Sequence, residues 1–521
     1  MQGGIGDWIT RRAHRRPHAP ALIDGDSGRT VSYVDLERDV AAMAASLHEL
    51  GVRRGDRIAI LMENSIDFVY VLFGAANLGA IVVPINFRLS GREVRHILAD
   101  SGALVLAVSD RFRDLATDAL AQGEHGVRRI LVETDGAAIG DHPVSTLGEL
   151  LTAEARRGPD PLIRAEDTCV IMYTSGTTGT PKGAMLTHGN MQWNAFNMAT
   201  VGSGLSSSTA TIAVAPMFHI GALGLSVLPI LYAGGTVITV RAFDPHRTLE
   251  LMQRYRTTTQ FMVPAMWAAL SKVPDFDSYD VSTMQYVLCG GAPCPLPVIE
   301  FYQQRGWMFL EGFGMTEASP NTLLLDEESV VSHAGSVGRP FMHVDVRIVD
   351  NEDHDVAVGE VGELVLRGPN IFAGYWGRPV ETAEATRGGW FHTGDLGRAD
   401  AEGFITLVDR KKDMIISGGE NVYPIEVEQV LYRHPAVSEV AVIGVPDEKW
   451  GETVVAVVVL GDGNNDIDEA GLIDYTRSRI AHFKCPRRVV FVDELPYTAT
   501  GKLLKRTLRE RFTGVGATVH R

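Results

Sequence analysis

Cysteine is scarce in this chain: 521 residues hold four, Cys169, Cys289, Cys294 and Cys485. They make no CxxC pair and no dense array, which excludes a disulfide scaffold and predicts reduced, buried thiols. No apolar run reaches the roughly 18 residues that suggest a membrane span. The first residues lack the apolar core of a signal peptide, and Arg11, Arg12, Arg15 and Arg16 come too late to flank one. Positive charge is in deficit, with a net charge of −16. That balance favours solubility and argues against a nucleic-acid partner. Together these absences predict a cytoplasmic protein without a transmembrane segment. No internal repeat is visible either.

What is present is an ordinary globular composition, 45% hydrophobic and 21% charged. The length exceeds what one core usually supports, so two or more domains are expected. Residues 31–50 read as an amphipathic helix, 57–62 as a strand, 67–78 as a helix and 80–84 as a strand. This alternation suggests βαβ units around a largely parallel sheet. Residues 123–160 are polar and weakly patterned and read as peripheral. Alternation resumes at 210–215, with a helix expected over 221–232 and strands at 236–240, 260–264 and 284–288. Residues 341–408 read as a small β subdomain, and residues beyond Asp409 as a compact α+β unit. The expected fold class is α/β: a large N-terminal domain over 1–409, a junction at 410–412 and a C-terminal domain over 413–521.

The most informative stretch is Tyr173-Thr-Ser-Gly-Thr-Thr-Gly-Thr-Pro-Lys-Gly-Ala184, directly after the apolar run Cys169-Val-Ile-Met172. A buried strand opening into glycines, hydroxyls and Lys182 can wrap an anion with backbone N–H groups, O–H donors and one charge. It is not a Walker A loop, because Pro181 precedes the lysine and Gly183 follows it. Gly312-Phe-Gly-Met-Thr-Glu317 brings an aromatic face, a hydroxyl and a carboxylate into six residues, or else simply starts a helix at Thr316. Gly290-Gly-Ala-Pro293 is a tight turn. Trp390-Phe-His-Thr-Gly-Asp-Leu-Gly397 sets Asp395 in a glycine turn, and Arg410 lies in a charged cluster. Leu495-Pro-Tyr-Thr-Ala-Thr-Gly-Lys502 delivers one lysine after a polar turn. Taken singly, each fits a structural role as well as a chemical one.

In this order they resemble the signature of the adenylate-forming superfamily, which includes acyl-CoA synthetases, peptide-synthetase adenylation domains and luciferases. The resemblance runs over essentially the whole chain. Asn86-Phe-Arg-Leu89, Asp413-Met-Ile-Ile-Ser-Gly-Gly-Glu-Asn-Val-Tyr-Pro424 and Gly444-Val-Pro-Asp-Glu-Lys-Trp-Gly451 are similar to bacterial fatty and aryl acyl-CoA synthetases. It implies ATP-dependent activation of a carboxylic acid to an acyl-adenylate, then transfer to coenzyme A, with ATP, Mg²⁺ and CoA as cofactors. A carrier-protein thiol, an amine or another nucleophile as acceptor is the alternative, and a homodimer is compatible with it. The resemblance assigns phosphate contacts to Thr174, Ser175, Gly176, Thr177, Thr178, Gly179 and Lys182, and adenine contacts to Gly291, Ala292, Pro293, Gly312, Phe313 and Gly314. It further implies Thr316 on phosphate, Glu317 on Mg²⁺, Asp395 and Arg410 on the ribose, His219 beside the acyl group and Lys502 as the lysine of adenylation. Lys412 aligns with the family's hinge, and Gly418 and Gly419 with the segment that passes a pantetheine arm. Gly221, after Ala215-Pro-Met-Phe-His219, would leave room for an aryl or longer acid.

Overall fold

The computed structural model describes residues 3–513 apart from 122–124, 135–137, 141, 155, 175–180, 293, 327, 411–412, 418–419, 448, 462–466 and 498–502, and excludes the Arg410 side chain. The large domain is built on an eight-stranded sheet. Its centre is parallel: Thr168–Thr174, Ile81–Pro84, Arg57–Leu61, Val105–Val108, Arg129–Val132 and Val144–Thr146 lie side by side in that order. Ile81–Pro84 and Val105–Val108 are buried throughout, as expected of parallel strands covered on both faces. The helices between them have sharp ends. Ser65 accepts from the Phe68 amide to start Ile66–Leu78, and Gly79 ends it at φ 67°. Ser90 and Glu93 form a reciprocal capping box on Gly91–Ser101.

Lys182–Thr187 returns antiparallel to Thr168–Thr174, and the short strand Gly374–Tyr375 adds antiparallel beyond it. The predicted phosphate loop is thus the segment of chain that joins the first two of these strands. A second sheet has Thr259–Met262, Tyr286–Cys289 and Phe309–Gly314 in parallel, then Asn321–Leu324 and Arg339–Pro340 antiparallel. A four-stranded sheet of Ala210–Ala213, Thr236–Thr239, Pro20–Asp24 and Thr30–Ser32 completes the main body. The expected small β subdomain is a fully antiparallel sheet of Asp345–Val349, Gly362–Arg367, Phe391–Ala399 and Ile405–Arg410.

The C-terminal domain carries its own core. Val437–Asp447 and Gly451–Leu460 form a long antiparallel pair, with Arg488–Phe491 parallel to the latter. Side chains alternate across this sheet. Val440, Val442, Val454, Ala456 and Val458 pack with Val427, Leu431 and Leu472 on one face. Ala441, Ile443, Val445, Val455 and Val457 pack with Leu508 and Phe512 on the other. Helices thus cover both faces.

Three expectations need correction. Residues 123–160 are not wholly peripheral, since Arg129–Val132 and Val144–Thr146 extend the main sheet and Ile130, Leu131 and Val132 are fully buried. A strand of that length has too few residues to show a period. The helix expected over 221–232 is split into a π-helical stretch, Ala222–Val227, and an α-helix, Leu228–Ala233. Asp395 lies within strand Phe391–Ala399 rather than in a turn. All four cysteines are free and buried, as expected. Among the described residues no helix is long and apolar enough to cross a membrane.

Gly338 and Gly359 both sit at φ 86°, but a Cβ on Gly338 would fall 2.0 Å from the Leu324 backbone while Gly359 faces open space. Gly359→Ala is expected to cost about 1 kcal/mol from backbone strain alone. Gly338→Ala adds an overlap that no rotamer relieves, about 3 kcal/mol or more in total. Urea unfolding of the two variants separates these contributions.

Candidate active site

The carboxyl ends of the parallel strands in the second sheet converge on one region, where ligands of open α/β sheets bind. Two cavities meet there. The first, about 500 Å³, is lined by Gly291, Ala292, Glu311, Asp395, Asp409 and Tyr432, among others. The second, about 400 Å³, is lined by Tyr173, Thr174, His219, Gly221, Phe261 and Phe341, among others. Gly291, Gly312, Phe313, Gly314 and Met315 line both. The tip of strand Phe309–Gly314 is therefore the wall they share.

That tip is thin for a steric reason. A Cβ on Gly314 would lie 2.0 Å from the Pro320 carbonyl oxygen, and one on Gly312 would lie 2.9 Å from that of Leu323. Any side chain at either position would break the pairing with Asn321–Leu324. Phe313, between them, lines both cavities. The chain then leaves the strand into a short 3₁₀ turn, Thr316–Ala318. Thr316 lines the second cavity. Glu317 is 7% exposed, and its Oε1 accepts from the Tyr375 hydroxyl at 2.9 Å.

Asp395 is 6% exposed in the wall of the first cavity and pairs in register with Arg410 across the strands. The two residues expected at the ribose are thus cross-strand neighbours. His219 lines the second cavity with its ring against Phe218, centroids 4.4 Å apart. Thr174 ends the strand before the phosphate loop and pairs with Lys182, which opens the return strand. Lys182 Nζ stands 5.3 Å from the centroid of the Tyr375 ring. Ser175, Gly176, Thr177, Thr178, Gly179, Pro293, Lys412, Gly418, Gly419 and Lys502 lie outside the described residues, as does the Arg410 side chain. The structure brings together Thr174, His219, Thr316, Phe313, Gly291, Ala292 and Asp395 around the paired cavities.

Ile425, Glu428, Gln429 and Tyr432, on C-terminal helix Pro424–Tyr432, close one side of the first cavity. The Ile425 amide donates to Asp409 Oδ2 at 3.3 Å, joining that helix to the last strand of the β subdomain. Asp100 ties the end of strand Thr168–Thr174 to the segment after Gly374–Tyr375. Its carboxylate accepts from the Tyr173 hydroxyl at 2.6 Å and pairs with Arg378 at 2.7 Å.

Sequence reading missed Glu311. It sits on the first cavity with Oε1 accepting from the Cys294 amide at 3.2 Å, while Oε2 is buried with no hydrogen-bond partner among the described residues. The available signal was a lone acid in an otherwise apolar strand, Phe309-Leu-Glu311. Burial pushes its carboxyl up to about 7. Because the folded form holds the proton more tightly, the contribution of Glu311 to stability is greatest below about pH 4.5 and is lost as pH rises to about 7. Differential scanning calorimetry should therefore show wild type losing Tm relative to Glu311→Gln between pH 5 and pH 8. A constant difference would mean that Glu311 titrates normally.

Similarity to known proteins agrees with this geometry. The AMP-binding enzyme family model matches residues 9–376, and the AMP-binding enzyme C-terminal domain matches 426–502. The chain is 45% identical to a feruloyl-CoA synthase from Amycolatopsis over 98% of its own length and 99% of that protein. It is 38% identical to an indoleacetate–CoA ligase of Aromatoleum aromaticum, covering 97% and 98%. Its structure matches an o-succinylbenzoate CoA synthetase from Bacillus subtilis, in complex with the acyl-adenylate intermediate, at a TM-score of 0.85 with 31% identity and 98% of each chain covered. With both family domains present around a paired cavity, the chain belongs to the AMP-binding enzymes of the adenylate-forming superfamily and is an acid–thiol ligase of the acyl- and aryl-CoA synthetase type.

Proposed function

We propose that this ligase activates an aryl acid of the hydroxycinnamate class with ATP and transfers the acyl group to CoA. The carrying observation is the pair of cavities sharing one glycine-edged wall, so that a nucleotide in the first and an acid in the second meet at Phe313–Met315. The second cavity's 400 Å³ lies near the low end of the ~300–1,000 Å³ range of ligand clefts. Met198, Leu225, Leu288, Leu324 and Phe341 make it largely apolar, which suits a planar ring better than a long chain. The feruloyl-CoA synthase relative supports the same reading.

The reaction brings a carboxylate onto the α-phosphate. Two unit charges 4 Å apart repel by roughly 4 kcal/mol at an effective dielectric constant of ~20. Lys182 and the phosphate-loop donors Thr174, Ser175, Thr177 and Thr178 hold the phosphates, and Thr316 reaches them from the other side. Asp395 and Arg410 take the ribose hydroxyls, while adenine lies between Phe313 and the Gly291–Pro293 turn. Lys502 brings positive charge as the carboxylate oxygen forms its bond to phosphorus and pyrophosphate leaves. The CoA thiolate then attacks the acyl carbonyl and AMP departs, with His219 beside the carbonyl and Gly418 and Gly419 flanking the thiol's path. Residues 1–409 and 413–521 act as the two domains, with Lys412 as the hinge that moves Lys502 away between steps. Glu317 fits Mg²⁺, which takes one or two protein carboxylates plus substrate phosphates. When bound, the ion supplies charge neutralisation at the pyrophosphate. Free buried thiols suit a cytoplasmic setting.

AMP and pyrophosphate release over fatty, cinnamic and benzoic acids, with and without CoA, tests the assignment. Hydroxycinnamates should show the highest kcat/KM, with AMP release dependent on CoA; a preference for long-chain acids of tenfold or more refutes the aryl reading. Lys502→Ala should abolish adenylate formation from the acid and spare thiolation of a supplied acyl-adenylate. A Cβ on Gly221 would lie 3.1 Å from the Phe261 ring. Gly221→Ala should accordingly push that ring inward and lower kcat/KM for hydroxycinnamates about tenfold, chiefly through KM, with a smaller effect on benzoate.

A further inference from the structure

Tyr375 was part of no motif read from the sequence, and it lines neither cavity. It nevertheless touches charged groups from two separate parts of the site. Its hydroxyl donates to Glu317 Oε1 at 2.9 Å, and Lys182 Nζ stands over its ring at 5.3 Å from the centroid. The cation–π geometry holds the lysine, and the charge-assisted hydrogen bond holds the carboxylate.

The backbone around Tyr375 is tied to the same two places. On one side, the Phe372 amide donates to the Glu317 carbonyl at 2.8 Å. On the other, Ala373 and Trp376 donate to the carbonyls of Met185 and Gly183 at 2.9 and 2.8 Å, on the strand that Lys182 opens. The Tyr375 amide donates to Thr382 Oγ1 at 2.9 Å, and the Phe372 ring meets its ring edge-on with centroids 4.8 Å apart. Residues 372–376 therefore form a strap from the 3₁₀ turn to the phosphate-loop hairpin, with Tyr375 at its middle.

We propose that Tyr375 is a positioning residue that sets the Glu317 carboxylate and the Lys182 ammonium in fixed relation, so that both engage the same Mg²⁺–triphosphate. This rests on the reading of Glu317 as the carboxylate that holds Mg²⁺. The two contacts can be separated chemically. Tyr375→Phe keeps the ring beneath Lys182 and removes the donor to Glu317, whereas Tyr375→Leu removes both.

The test is ATP binding by isothermal titration calorimetry, without acid or CoA, in EDTA and in saturating Mg²⁺. Tyr375→Phe is expected to bind ATP in EDTA as wild type does, and to lose about tenfold of the Mg²⁺-dependent gain, the size expected for a hydrogen bond to a charged group. Tyr375→Leu should also bind more weakly in EDTA. Glu317→Gln should lose the Mg²⁺ gain, and adding Tyr375→Phe to it should cause no further loss. If Glu317→Gln loses the gain and Tyr375→Phe keeps all of it, the role of Tyr375 is overturned while that of Glu317 stands. If Glu317→Gln keeps the gain, both fall. Wild-type affinity of Tyr375→Leu in EDTA overturns the Lys182 half of the proposal.

Discussion

Two anions that repel in water must be held within bonding distance in this site, and the architecture is arranged around that constraint. Close approach of a carboxylate and a phosphate requires that no protein side chain stand between them, yet each needs a wall of its own. The end of strand Phe309–Gly314 meets both demands. Gly312 and Gly314 can pack backbone against backbone with Leu323 and Pro320, which keeps side chains out of the partition at those two positions. Phe313 is the bulky residue at that tip, and it lines both cavities.

The charged residues of the candidate site come from separate elements. Lys182 belongs to the hairpin of the eight-stranded sheet, Glu317 to the turn after the second sheet, and Asp395 to the antiparallel subdomain. Long-range contacts hold these elements in relation. Arg378 reaches Asp100 across 278 residues, and Tyr375 reaches Glu317 across 58. Asn370 adds another, its amide donating to the carbonyls of Ala318 and Asn321 at 2.8 and 2.7 Å. Such buried and half-buried polar ties are costly to leave half made, so they favour one arrangement of the sheets over near alternatives.

The C-terminal domain is organised on a different principle. Its sheet buries alternate residues on opposite faces and has helices over both, so its core closes without help from the large domain. The Ile425–Asp409 hydrogen bond and the helix lining the first cavity bring it to the site.

Much of this was legible in order along the chain because local rules write it there. Strand 57–61, helix 66–78 and strand 362–367 follow directly from apolar period and capping residues. The glycine-bearing motifs stand out because turns and close backbone approach require that composition. Strand Arg129–Val132 did not, being too short to carry a period, and Phe391–Ala399 was hidden by the glycines in its bulged middle. The sequence by itself determined which residues carry charge, hydroxyls and ring faces, and the alternation that builds the sheets, since these depend on near neighbours. Only the tertiary structure decided that Glu311 lines the first cavity with one oxygen unpartnered among the described residues, that Asp395 lies in the same wall, and that Tyr375 stands between Lys182 and Glu317. Those relations depend on strand order and register between distant segments, which no local pattern encodes.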